Sequence, residues 1–134
     1  MSPFLLLAAL ADLAAAVVHG LVGHRLILVP LKYARLFSTR AFGAADMSRR
    51  VLVVTWHLTT ATFAASALMM SLWASGTVPS GSGPLFVAAM HASFLLIGLA
   101  VMTPRITSVF RRRIPVTFVA LMTTVAVMGW LGSS

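Results

Sequence analysis

Four imidazoles and one carboxyl stand where a water-soluble protein rarely keeps them. His19, His24, His57 and His91, all the histidines of the chain, and Asp12, one of its two acidic residues, each fall inside long apolar stretches. A neutral imidazole binds transition metals and axially ligates haem iron, and a carboxylate beside it orients the ring. An Asp–His track relays protons or an ion. The bland alternative is that each histidine makes an interhelical hydrogen bond worth roughly 1 kcal/mol and does nothing else. Ionisable groups inside a bilayer are costly and face the protein interior, so this set carries most of the functional information.

The elements that must hold these residues follow from composition. The chain has 134 residues, of which 60% are hydrophobic and 9% charged, and its mean hydropathy is +1.00. Ten basic and two acidic side chains cannot clothe a water-facing surface of this size. The reading is all-α: an integral membrane four-helix bundle forming a single transmembrane domain over residues 1–134. Apolar segments mark helices over 4–29, 51–74, 85–102 and 114–131, with Pro115 in the first turn of the last, where its missing N–H costs nothing. Barrel strands would alternate in polarity, and these segments do not. Met1 to Phe4 carries no basic residue and the first apolar run continues past Ala16, so a retained helix is expected rather than a signal peptide.

The net charge of +8 would point to nucleic acid in a soluble protein. Here the ten basic residues fall at or within the loops 30–50 and 103–113, apart from Arg25 near the inner end of helix one, and none lies on the opposite side. The positive-inside rule makes both loops cytoplasmic and both termini external in a bacterial inner (cytoplasmic) membrane, with the lipid bilayer as the partner and no nucleic acid. Trp73 and Trp130 fall at the outer ends of helices two and four, as an aromatic belt requires. Leu31, Tyr33, Leu36 and Phe37 alternate with Lys32, Arg35 and Arg40, which suits a segment lying on the anionic inner leaflet.

At ~100° and ~1.5 Å per residue, Asp12, Ala16, His19 and Gly23 share one face of helix one. His57 aligns with Ala61, Ala64 and Leu68, and His91 with Gly98 and Met102; the small residues let a neighbouring backbone come close. Asp12 and His91 both lie roughly 9–12 Å from the outer end, so they can pair. His57 and His19 lie about 10 and 15 Å from the inner end, so they can approach each other. The expectation is one polar track from Asp12 and His91 through His19 and His57 to His24. Helix four has no ionisable group, so its Phe118, Met122 and Met128 are expected to face lipid or a partner, and its Thr117, Thr123 and Thr124 to bond their own backbone.

As ligands, His19, His57 and His91 are the candidate cofactor-binding set, and His19, His24, His57, His91 and Asp12 the candidate metal set, for a b-type haem or a transition metal. Bis-histidine haem ligation needs imidazoles at one depth on opposite sides of a slot, which consecutive helices supply only if they part. Without cysteine there is no thiolate metal site, and the eight methionines, including Met69 and Met70, read as packing rather than copper ligands. GxGxxG, Walker A, GxSxG and HExxH patterns are absent, and Asp46 is placed to cap helix two, far from Asp12. Hydrolase and NTPase readings fall away, and no catalytic residue is assigned.

The string His19-Gly-Leu-Val-Gly-His24-Arg25, followed on the next helix by Trp56-His57, resembles a group of small, uncharacterised four-helix bacterial inner-membrane proteins. That group pairs a His-x-x-x-Gly-acid-Arg stretch in helix one with Trp-His in helix two. The resemblance covers about half the chain and implies special roles for His19 and His57. His24 stands where the group carries an acid, so an acid-dependent site does not transfer.

Three functions are compatible with these residues: metal or haem binding in a redox-related role, an accessory or assembly subunit of a larger membrane complex, and proton or ion transport. All three need the same topology. Reporter fusions after Ser134 should read periplasmic and fusions near Phe42 cytoplasmic; the reverse pattern would reject the orientation.

Overall fold

A computed structural model describes residues 1–31, 45–102 and 113–133, with side chains at 1–30, 50–99 and 116–133. Among the described residues the chain is all-helical, with four helices and no strand. Ser2 caps the first helix by accepting from the Leu5 N–H, and Pro3 occupies the first turn. Helix α1 then runs as an α-helix over Pro3–Val17, widens into a π-helix over Val18–Leu28, and returns to one α turn at Val29–Leu31. Helices α2, α3 and α4 span Ala45–Ser75, Gly83–Met102 and Arg113–Leu131. Between α2 and α3, Gly76 and Gly81 take positive φ, which a side chain would resist.

The widened stretch corrects the helical wheel. A π-helix bonds i to i+5, as the Val29 N–H does to the His24 carbonyl, so the angle per residue falls below that of an α-helix. Asp12, in the α portion, faces the interior with no exposure. His19 and Gly23, in the π portion, turn towards α2 instead of sharing Asp12's face.

The ends of the helices fix their directions. The Ser2 N–H donates to the Ala74 carbonyl at 3.1 Å, Gly83 lies under the Trp73 indole and Gly132 against Leu5. At the other end Gly98 lies under Phe118. The N-terminus, the 76–82 turn and the C-terminus therefore share one end, and consecutive helices are antiparallel. Helix α1 packs along α2 and α4, and α4 along α3. Helices α2 and α3 meet chiefly through Phe63 and Phe94, whose rings stand edge to face at 6.2 Å.

Small side chains permit this packing. Ala8, Ala9, Ala11, Ala15 and Ala16 put an alanine surface on the inner side of α1, so α2 and α4 approach its backbone closely. Two apolar clusters fill the interior: Leu5, Ala8, Met70, Ala74, Val87 and Val125 towards the terminal end, and Ala15, Ala16, Phe63 and Met122 towards the other. Met122 is thus a core residue, Phe118 and Met128 pack against the two clusters, and the expected outward face of α4 is corrected. Large apolar side chains line the outside instead, including Leu10, Leu58, Leu68, Phe86, Leu96 and Ile97.

Pro3–Leu28 and Arg50–Ser75, each 26 residues, are long and apolar enough to cross a membrane, and Gly83–Leu99 and Val116–Leu131 are shorter apolar stretches. Hydroxyls within α2 and α4 are answered locally: Thr55, Thr59, Thr60, Thr62, Ser71 and Thr124 each donate to the carbonyl four residues back. Asp46 falls in the first turn of α2; its capping contact, the 31–40 amphipathic segment beyond Leu31, and Lys32, Arg35, Arg40, Arg105, Arg111 and Arg112 lie outside the described residues.

Because α1 turns mostly alanines inward and leucines such as Leu10 outward, substitutions on it should read in reverse of the usual rule. Ala8→Leu should destabilise by about 1–3 kcal/mol through overpacking, whereas Leu10→Ala on the outer face should stay within about 0.5 kcal/mol. Thermal unfolding in detergent, followed by circular dichroism, measures both.

Candidate functional site

The candidate polar residues fall into three groups, two in the interior and one at its edge. The first joins helices that are not packed neighbours: His91 Nε2 of α3 lies 2.7 Å from Asp12 Oδ1 of α1, and neither side chain is exposed. The other ring nitrogen, Nδ1, is 2.9 Å from the Val87 carbonyl one turn back. A carbonyl only accepts, so Nδ1 carries a proton and donates it. Nε2 then faces the carboxylate with either a lone pair or a second proton. Two lone pairs at this distance repel, and an unpaired buried carboxylate costs several kcal/mol or more (~2–7 for even a neutral group). One proton must therefore be held between Oδ1 and Nε2, either as imidazolium with carboxylate or as neutral imidazole with carboxylic acid.

The contact is close but off-axis. Neither Nε2 nor either carboxylate oxygen has an aligned hydrogen bond among the described residues, although all are buried. Apolar clusters flank the pair on both sides along the helices, and Phe63 and Phe94 rings lie 5.8 Å from the His91 ring. Counted from Pro3, Asp12 is about 14 Å along its helix, close to the midpoint of the Pro3–Leu28 stretch.

The second group surrounds His19. Its ring stacks on the Trp56 indole at 4.1 Å and meets the Phe63 edge at 5.8 Å. Trp56 Nε1 donates to the His19 carbonyl at 3.0 Å, and the indole lies so close over Gly23 that a Cβ there would collide with it. His19 Nδ1 is 2.9 Å from Thr60 Oγ1. The Thr60 hydroxyl also lies 3.1 Å from the Trp56 carbonyl; when it donates there it accepts from His19, which is then the Nδ1–H tautomer.

The third group is His24 with His57, ring centroids 5.5 Å apart. His57 is exposed and His24 half-buried, and His24 Nδ1 has no partner among the described residues.

The expected Asp12–His91 pair is thus present, and His57 comes near enough to His19 to interact with its charge, while its ring faces His24 and the Trp56 indole takes the place over the His19 ring. One residue rotates α2 by ~100°, so Trp56 faces His19 and His57 turns to His24. The continuous track is also broken, because Phe63 stands 5.8 Å from both the His19 and His91 rings. Among the described residues no three His, Cys, Asp or Glu side chains are grouped so as to hold a metal ion. The five predicted ligands do not form one set, and His19 and His57 do not face each other across a haem-sized slot. Thr60 and Phe63 escaped the sequence reading; their spacing from Trp56 on one face of α2, opposite Gly20 and Gly23, is the signal that marks them. The chain matches no protein-family model, no curated protein and no solved structure.

The shared proton has a mutational signature. An Asn at position 12 can donate its amide N–H to the Nε2 lone pair of a neutral His91, whereas Ala leaves that nitrogen unanswered. Asp12→Ala should cost about 1–3 kcal/mol and Asp12→Asn clearly less, compared by thermal unfolding in the same detergent.

Proposed function

We propose that the chain is a multi-pass protein of the bacterial inner membrane, a four-helix bundle with both termini outside, that moves protons across the membrane through the Asp12–His91 pair. The observation that carries this reading is the 2.7 Å contact between two fully buried titratable groups, with Nδ1 of the histidine already committed to a carbonyl. Such a pair needs one proton, and it holds that proton near mid-membrane, where an ionisable group is otherwise avoided.

The membrane setting is supported by the two apolar stretches of spanning length and by the outward leucines and isoleucines, which lipid solvates and water does not. The separation of basic loops from the aromatic-marked end supports the orientation. The likeness to small four-helix inner-membrane proteins belongs to the same proposal.

Apolar side chains close the pair off from both ends: Leu5, Met70, Val87 and Val125 on the terminal side, Phe63 and Met122 on the basic side. Transfer then requires that one cluster part while the other stays closed. Proton uptake places the proton between Oδ1 and Nε2; release to the opposite side returns the pair to its deprotonated state, which the buried carboxylate tolerates only while water reaches it. Phe63 separates this site from His19, so movement of its ring would join the pair to the basic end.

The redox reading, with a metal or b-type haem on His19, His57 and His91, finds no support in three imidazoles directed to different neighbours. The accessory-subunit reading loses Met122, which it needed on the outside.

In sealed proteoliposomes with a pH-sensitive dye inside and an imposed pH gradient, the wild-type chain should dissipate the gradient faster than protein-free vesicles. Asp12→Asn, which keeps the fold, should reduce that rate at least about tenfold. A wild-type rate equal to that of empty vesicles would end the proposal.

A further inference from the structure

A cavity of about 120 Å³ lies beside the widened part of α1, between it, α2 and α4. Its walls include Val22, Leu26, Trp56, Phe63, Phe118 and Leu121, and His19 is the one ionisable group among its lining residues. Val22 and Leu26 are exposed on the outer surface, so the cavity reaches the face that the membrane reading gives to lipid. An apolar cavity of roughly 150 Å³ accommodates a benzene ring; this one is smaller but opens past Val22 and Leu26, so it takes one flat ring seated partly in its mouth.

What distinguishes the cavity from a packing fault is the state of His19. Stacking on Trp56 and the bond to Thr60 hold the ring in place. With the Thr60 hydroxyl donating to the Trp56 carbonyl, the neutral imidazole carries its proton on Nδ1 and leaves a lone pair on Nε2, for which no hydrogen-bond partner stands among the described residues. A prepositioned acceptor in an apolar, ring-sized space selects a flat apolar molecule carrying one hydroxyl donor. A ring without the hydroxyl fills the same space and leaves Nε2 unanswered, so it binds more weakly.

We propose that this cavity binds a phenolic ring, the hydroxyl donating to His19 Nε2 and the ring lying among Trp56, Phe63 and Phe118. The shared chemistry has two sources, a small phenol or the hydroquinone head of a prenylated membrane lipid, whose tail would leave past Val22 and Leu26. The inference rests on the membrane reading for its route of entry and is independent of proton movement. Its readout involves no flux, so the two proposals fail separately.

The test is nitrogen-15 resonance of histidine-labelled protein in detergent, with the His19 signals assigned by their loss in His19→Gln. The free protein should give the Nδ1–H tautomer. Titration with 4-fluorophenol should shift His19 Nε2 saturably, whereas 4-fluoroanisole, the same ring without a donor, should need at least about tenfold more ligand, the equivalent of roughly 1.4 kcal/mol. Val22→Phe, at an exposed position on the rim, should weaken the phenol about tenfold without altering the fold by circular dichroism. A short-chain prenylated hydroquinone that binds more tightly than 4-fluorophenol assigns the site to the membrane lipid; one that binds more weakly assigns it to small phenols. The proposal is overturned if neither hydroxylated probe moves the His19 signal, if anisole matches phenol, or if Val22→Phe binds phenol as the wild type does.

Discussion

In an apolar interior no water stands by to answer a polar atom, and the contact between Asp12 and His91 is where that constraint is most severe. The two residues belong to helices that do not pack directly on one another, so their contact ties α1 to α3 across the interior. The rest of the packing is arranged around this tie. Alanines on α1 bring α2 and α4 close enough to seal it, and apolar clusters above and below exclude competing partners. Removing the carboxyl leaves a buried imidazole nitrogen with nothing to meet. Removing the imidazole leaves a buried carboxyl in the same position, so the two residues depend on each other.

The same rule governs the quieter polar groups. Threonine and serine hydroxyls on α2 bond to carbonyls of their own helix, which makes that helix self-sufficient despite its polar count. Trp56 follows a different course: its indole N–H crosses to the His19 carbonyl, and its face covers the His19 ring. Thr60 stands between these behaviours, donating within α2 and accepting from α1. This chain of donors holds the His19 ring in place without any charged partner.

How much of this was legible beforehand depends on the arithmetic each residue required. The four-helix outline followed from hydropathy, because apolar runs and proline or basic boundaries leave little freedom. The Asp12–His91 pair followed from depth alone, since both lie the same distance from one end. The surroundings of His19 did not, because a uniform angle per residue fails beyond Val17, where the turns widen. His57 does come near His19, but the stacking partner is the neighbouring Trp56, whose indole fills the space opposite Gly23. The outward face of α4 was misjudged for another reason: when lipid and interior are both apolar, hydropathy cannot tell Met122 from a lipid-facing methionine, and only shape decides.

The widened turns of α1 also bear on how the chain tolerates changes in its own length. In an α-helix an added residue rotates everything beyond it by ~100°, moving each inward side chain out of place. A π-helix accommodates additional residues by enlarging its turns, so the flanking segments keep their facing. Val18–Leu28 is such an absorber, placed between Asp12, which must point to the centre, and Leu28, which is buried again beyond it. A change of length within this stretch therefore leaves the two ends of the helix in step.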